Sequence, residues 1–90
     1  MKTESSSQLI VSFGKVLKEI RQSKNITQEG LALSVGLDRT FISMLERGLR
    51  QPTLTTLFLI AQGLDVELLE LVKAVERHYR QSSSLESLKK

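Results

Sequence analysis

The sequence predicts a single all-α domain of five helices, and three observations lead to this expectation. The chain has 90 residues, which is enough for one hydrophobic core and too few for two. Its apolar residues are mostly leucine, isoleucine and valine at helical spacing, and only 4% of the chain is aromatic. Helix-capping residue types and glycines divide this apolar pattern into short segments. A compact helical bundle therefore fits the sequence better than a sheet.

The first predicted helix follows a polar, serine-rich segment at residues 1–8, which we expect to be a flexible tail. A continuous apolar stripe then predicts a helix that ends near Ser23. The stripe consists of Leu9, Phe13, Val16, Leu17 and Ile20.

Helices 2 and 3 are predicted from their capping signals. Thr27 is a typical N-cap residue, because its hydroxyl can accept a hydrogen bond from an unpaired amide of the first turn. Gly36 follows the last apolar position of helix 2, where a left-handed residue commonly ends a helix. Asp38 then provides a new N-cap for a third helix, Arg39 to Arg47. Two short helices joined by a three-residue, glycine-containing turn form the arrangement that places its second helix in the DNA major groove.

Helix 3 is expected to present a polar, cationic surface. Ile42 and Leu45 recur at i, i+3 and should face inward. Arg39, Thr40, Ser43 and Arg47 then lie largely on the other side. We interpret this helix as a recognition helix for double-stranded DNA.

Helix 4 is predicted from the Thr53 cap to about Gln62, and helix 5 from Glu67 to about Arg80. The domain then covers residues 9–80, and residues 81–90 form a second flexible tail. The apolar residues expected to be buried in and after helix 4 are Leu54, Leu57, Phe58, Ala61 and Leu64. The helix 5 residues expected to bury against a second copy of the chain are Leu69, Val72, Val75 and Tyr79.

Charge and composition restrict the possible partners. Residues 1–52 carry eight basic side chains against five acidic ones, whereas residues 53–90 carry five of each, so the net charge of +3 belongs to the half with the helix pair. This asymmetry favours a polyanionic partner there. The chain has no cysteine and one histidine, His78, so we predict no disulfide, metal site, catalytic site or cofactor. The lack of a long apolar segment or secretory signal predicts a cytoplasmic protein with no membrane span.

Several short motifs at fixed spacing resemble one known family. They are Thr27-Gln28-Glu29, Leu31-Ala32, Gly36-Leu37, Ile42-Ser43, Glu46-Arg47-Gly48 and Pro52-Thr53-Leu54. Together they resemble the phage-repressor-like helix-turn-helix family, of Cro and lambda-repressor or XRE type, between about Phe13 and Leu71. The segment Leu37 to Ser43 is most similar to the controller proteins of restriction-modification systems, which are small dimeric regulators.

The resemblance implies roles for individual residues. Gln28 matches a glutamine that contacts the DNA backbone and can brace a recognition side chain. Arg50 matches a loop residue that touches the backbone, and Arg21 and Glu46 match a charge pair that ties helix 1 to the end of helix 3. The positions that contact bases or phosphates in the recognition helix are Arg39, Thr40, Ser43 and, at its edge, Met44.

Two functions remain open at this stage. The first is a sequence-specific transcriptional regulator that binds a near-palindromic operator as a homodimer. The second is a protein-interaction module, such as an antitoxin or co-regulator, that uses helix 5 to bind a protein partner. No small-molecule ligand is evident, so we expect control by protein concentration. Phe41 has two possible positions as well, in the core or along the sugar-phosphate backbone.

Overall fold

The computed structural model describes residues 3–88, with side chains described for residues 7–82, and this part of the chain contains five α-helices and no strands. The helices are α1 (Thr3–Ser23), α2 (Gln28–Val35), α3 (Arg39–Glu46), α4 (Leu54–Gly63) and α5 (Leu68–Leu88). α1 packs against α3 and α5, and α2 packs against α3 and α4. The predicted all-α class and the helix pair α2–α3 are confirmed.

The outer helices are longer than the sequence predicted. α1 begins at Thr3 rather than near residue 8, and α5 continues to Leu88 rather than ending near Arg80. Neither added segment contains a glycine or proline, and serine disfavours a helix less than glycine and far less than proline. Residues 1–2 and 89–90 lie outside the described part, and the flexibility of the two tails stays a prediction.

The three inner helices begin where their N-cap residues predict. The Thr27 hydroxyl accepts from the Gly30 amide at 2.9 Å, and the Asp38 carboxylate accepts from the Thr40 amide at 3.4 Å. The Thr53 hydroxyl accepts from the Thr56 amide at 3.1 Å. These bonds satisfy amides that have no partner inside the helix, so they fix the first residue of each helix in place.

The hydrophobic core lies where all five helices meet. Its buried residues are Phe13, Val16, Leu17, Leu31, Ala32, Ile42, Leu45, Ile60, Ala61, Leu64, Leu71 and Val75. α1 and α5 are also linked by a hydrogen bond of 3.1 Å between the buried Ser12 hydroxyl and Nδ1 of His78. The lone histidine is therefore part of the packing between the two outer helices.

The predicted inward face of α4 is partly wrong. Leu54 and Phe58 are 67% and 57% exposed, whereas Ile60 is fully buried. The predicted stripe, which begins at Leu54, is hard to distinguish by periodicity from a second stripe, which begins at Leu57. The segment from Leu57 to Leu64 also contains apolar residues at i, i+3, i+4 and i+7. Packing against α2 and α5 selects the second stripe. Leu54 and Phe58 therefore form an exposed apolar pair on α4.

Gly14 allows α1 to approach the end of α3 closely. A Cβ atom at this position would collide with the carbonyl oxygen of Leu45 and would lie 2.7 Å from that of Glu46. Both atoms belong to the backbone, so they cannot rotate away. Arg21 lies seven residues further along α1, two turns away on the same face. The contact at Gly14 thus sets the helix separation across which Arg21 reaches Glu46.

We predict that Gly14→Ala destabilises the domain, although the same change in a free helix gains about 1 kcal/mol of propensity. The added methyl group should force α1 away from α3 and cost about 1–3 kcal/mol of unfolding free energy, as overpacking usually does. Urea unfolding followed by circular dichroism measures this loss. The matched control is Lys15→Ala, an exposed neighbour whose effect should stay within about 0.5 kcal/mol. A stabilised Gly14→Ala variant would disprove the close approach.

Candidate nucleic-acid interface

α3 separates its apolar and polar residues between two faces. Ile42 and Leu45 are fully buried, whereas Arg39 and Thr40 are exposed. Ser43 and Met44 are half-buried at the border between the faces. The helix ends at Glu46, with Arg47 as its C-cap, one residue before the predicted end. Its first turn thus presents a cation and a hydroxyl to solvent.

The ion pair that the resemblance implies is present and largely buried. The Arg21 guanidinium donates from Nε to Oε2 of Glu46 at 2.6 Å and from Nη2 to Oε1 at 3.0 Å. Its Nη1 donates to the carbonyl oxygen of Ile26 at 2.8 Å. The side chains of Arg21 and Glu46 are only 10% and 3% exposed. The two bonds to Glu46 join α1 to the end of α3. The bond to Ile26 holds the segment that leads into α2.

Gln28 connects this ion pair to the start of α3. Its Nε2 donates to Oε1 of Glu46 at 3.0 Å, and its Oε1 accepts from Nη1 of Arg39 at 3.4 Å. Gln28 and Arg39 each follow an N-cap residue directly, so their backbones are fixed by the capping bonds. Arg21, Glu46, Gln28 and Arg39 therefore form one connected network, which we call the Arg–Glu–Gln–Arg relay. The family resemblance implied the Arg21–Glu46 pair and a Gln28 that can brace a recognition side chain, and it did not imply the bond between Gln28 and Glu46.

A second contact ties the loop after α3 to the same surface. The Arg50 guanidinium lies over the Phe41 ring, 5.6 Å from its centroid, within the range of a cation–π interaction. Phe41 is half-buried and also packs against the core. Sequence reasoning missed this contact, because no helical periodicity relates a loop residue to a residue of α3. Arg39 and Arg50 are both exposed.

The predicted self-association residues of α5 do not share one environment. Leu69 and Val72 are 62% and 44% exposed, and Tyr79 is half-buried. Val75 is only 9% exposed and packs in the core of the single chain. Val75 therefore packs beneath the exposed residues of this face and offers little surface to another molecule.

An apolar groove of about 560 Å³ runs beside these residues. Its lining includes residues of α1, of α5 and of the segment that precedes α4. Among them are Leu9, Ile10, Pro52, Val72 and Tyr79. Leu9, which the sequence placed in the core stripe of helix 1, is 38% exposed here. Val72 and Tyr79 thus belong to a wider apolar surface than α5 alone provides.

The described residues contain neither a metal-binding cluster nor a membrane-spanning helix. No cluster of three or more histidine, cysteine, aspartate or glutamate side chains with metal-binding geometry occurs between residues 7 and 82. Within residues 3–88, none of the helices combines the length and apolar character that a membrane crossing requires.

Comparisons with known proteins agree with this geometry. The helix-turn-helix family model HTH_3 matches residues 17–71. The control protein C.MunI of Mycoplasma sp is 38% identical over 68 residues, which are 74% of this chain and 92% of the relative. The restriction-modification controller protein C.AhdI of Aeromonas hydrophila is 42% identical, with a TM-score of 0.67 over 69% of this chain and 94% of its own.

A further similar structure is a complex with DNA. The controller protein C.Esp1396I, crystallised as a tetramer with its natural 35 base-pair operator, is 38% identical to this chain. The match has a TM-score of 0.74 and covers 79% of this chain and 93% of that protein.

We predict that Glu46→Ala destabilises the domain by about 3–5 kcal/mol, because it leaves the Arg21 charge buried without its partner. Chemical denaturation at neutral pH measures the loss. The matched control is Glu76→Ala, which removes the acceptor of the exposed i, i+4 pair with Arg80 and should cost less than about 0.5 kcal/mol. Equal losses for the two variants would show that burial gives the Arg21–Glu46 pair no special role.

Proposed function

The chain belongs to the XRE-type helix-turn-helix family, and on that premise we propose that it is a sequence-specific DNA-binding transcriptional regulator of the controller-protein type. The family consists of DNA-binding regulators rather than enzymes. The observation that carries the proposal is the first turn of α3, where an exposed Arg39 is braced by Gln28 above a buried ion pair. We place the protein in the cytoplasm, where it has access to DNA.

We propose that α3 reads base edges in the major groove. The planar guanidinium of Arg39 can donate to O6 and N7 of one guanine at the same time. Thr40 and Ser43 can offer a methyl group to thymine or a hydroxyl to phosphate, with Met44 at the edge of the contact. Gln28 and Arg50 would contact the sugar-phosphate backbone on either side. Phosphate contacts fix the register of the helix, and Arg39 supplies the sequence information.

We propose further that the regulator acts as a homodimer. A single recognition helix contacts few base pairs, whereas two helices related by a two-fold axis enter successive major grooves about 34 Å apart and read a near-palindromic site. The exposed Leu69 and Val72, with Tyr79 and the adjoining groove, supply apolar surface for this association. The tetramer that C.Esp1396I forms on its operator supports self-association in a similar chain.

The alternative, a module that binds a different protein through α5, is not favoured. The proposed self-association would account for the apolar surface on α5, and the similarity to controller proteins extends over most of both chains. The two functions make different predictions for a variant with Leu69 and Val72 changed to serine. A regulator loses operator affinity together with dimerisation, whereas an interaction module loses its partner and keeps whatever DNA binding it has.

Selection of bound sequences from a random duplex pool tests the function directly. At about 0.15 M salt, nonspecific phosphate binding is weakened and base readout persists. We expect enrichment of an inverted repeat whose half-sites are one helical turn apart. Recovery of an unenriched pool would contradict the proposal and favour the interaction module.

We predict that Arg39→Ala and Arg50→Ala weaken binding in different ways. Arg39→Ala should cost about 1–3 kcal/mol on the selected operator and abolish discrimination at one base pair. Arg50→Ala should weaken all sequences alike and reduce the salt dependence of the affinity by about one phosphate contact. Titrations of operator and scrambled duplex at several salt concentrations separate these effects.

The control is Arg77→Ala, which removes an equal charge from the exposed surface of α5. Its effect on both duplexes should be small. If Arg39→Ala leaves the ratio of operator to scrambled affinity unchanged, Arg39 does not read a base.

A further inference from the structure

The relay imposes an orientation on the Gln28 side chain. A carboxylate has no hydrogen to donate, so Glu46 can only accept hydrogen bonds. Gln28 must therefore turn its NH₂ group toward Glu46, as the 3.0 Å bond from Nε2 shows. Its carbonyl oxygen consequently faces Arg39 and accepts from Nη1. The opposite orientation would place two oxygens together at Glu46 and two sets of N–H donors together at Arg39.

Glu46 itself has little freedom to move. Its side chain is 3% exposed, and Arg21 donates to both of its oxygens. Gln28, in contrast, is only partly buried and has no other described bond on its side chain. Glu46, which is fixed, thus determines the conformation of the Gln28 side chain.

We propose that Glu46 is a positioning residue for base reading: by fixing the amide of Gln28, it holds the Arg39 guanidinium ready for DNA. This inference rests on the proposed function, and it assigns to the buried ion pair a part in specificity in addition to its part in the fold. Arg39 has five N–H donors and uses one of them in its hydrogen bond to Gln28. A two-bond contact to guanine uses two more, and an arginine that is already oriented loses less conformational entropy when it forms them.

The first test replaces Glu46 with glutamine, which has the same shape but can either donate or accept. The measured quantity is the discrimination ratio, defined as the affinity for the selected operator divided by the affinity for the operator changed at the base pair that Arg39 reads. That base pair is the one at which Arg39→Ala loses its preference. We expect Glu46→Gln to lower the ratio by about three- to tenfold, the effect of one hydrogen bond.

Two controls separate positioning from a loss of charge or stability. Glu29→Gln makes the same charge change on an exposed residue of α2 and should leave the ratio unchanged. Glu46→Gln should also leave unchanged the discrimination at a base pair that Arg39 does not read, because it acts on specificity only through Arg39. An equal fall in discrimination at both base pairs would overturn the proposal, since Glu46 would then act on specificity without Arg39.

Gln28→Met provides a second variant that keeps the Arg21–Glu46 pair and so does not depend on whether Glu46→Gln folds. Loss of a backbone contact by Gln28 lowers the affinity for both duplexes alike, whereas loss of the brace lowers the ratio. We expect a lower ratio, and an unchanged one would overturn the relay. If the wild-type protein itself shows no preference for any sequence, the proposed function fails. A wild type that discriminates while the variants discriminate equally well refutes only the relay.

Discussion

The buried ion pair between Arg21 and Glu46 is the interaction on which the geometry of the helix pair depends. It joins the end of α1 to the end of α3, and the third nitrogen of Arg21 holds the carbonyl of Ile26 just before α2 begins. Such a pair adds little net stability, because burial of two charges costs about as much as their attraction returns. Its main contribution is to hold α1, α2 and α3 in their positions relative to one another. The pair permits one arrangement of the three helices, and Gly14 supplies the short distance between backbones that this arrangement requires.

Local rules were sufficient to predict α2 and α3 from the sequence. Thr27 and Asp38 cap their helices through bonds to amides two or three residues away, and Gly36 adopts the left-handed conformation that ends α2. The inward face of α4 was not predictable in this way, because more than one apolar stripe satisfies helical periodicity. Leu54 and Phe58 are exposed because neighbouring helices cover the other stripe. A correct assignment there depends on tertiary contacts that no short segment encodes.

The candidate DNA-binding residues were likewise predictable from the sequence, whereas some of the contacts between them were not. Family resemblance identified the Arg21–Glu46 pair, the recognition residue Arg39 and a Gln28 that can brace a recognition side chain. The bond from Gln28 to Glu46 combines them into one network, and it depends on the relative placement of two helices. The stacking of Arg50 on Phe41 depends on the path of a loop, for which the sequence offers no periodic signal. Sequence therefore identified candidate contacts with DNA, and the three-dimensional structure shows what keeps those side chains in place.

The packing of α1 against α5 has a consequence for how the chain is made. The hydrogen bond between Ser12 and His78 joins residues 66 positions apart, and Leu71 and Val75 of α5 complete the core around Phe13. A nascent chain on the ribosome therefore lacks part of its core until α5 has emerged, and closing such long loops slows folding relative to a bundle with only local contacts. Until that moment the part of α1 that packs against α5 is exposed to proteases and chaperones. The concentration of active protein thus depends on complete synthesis of the fifth helix as well as on the rate of transcription.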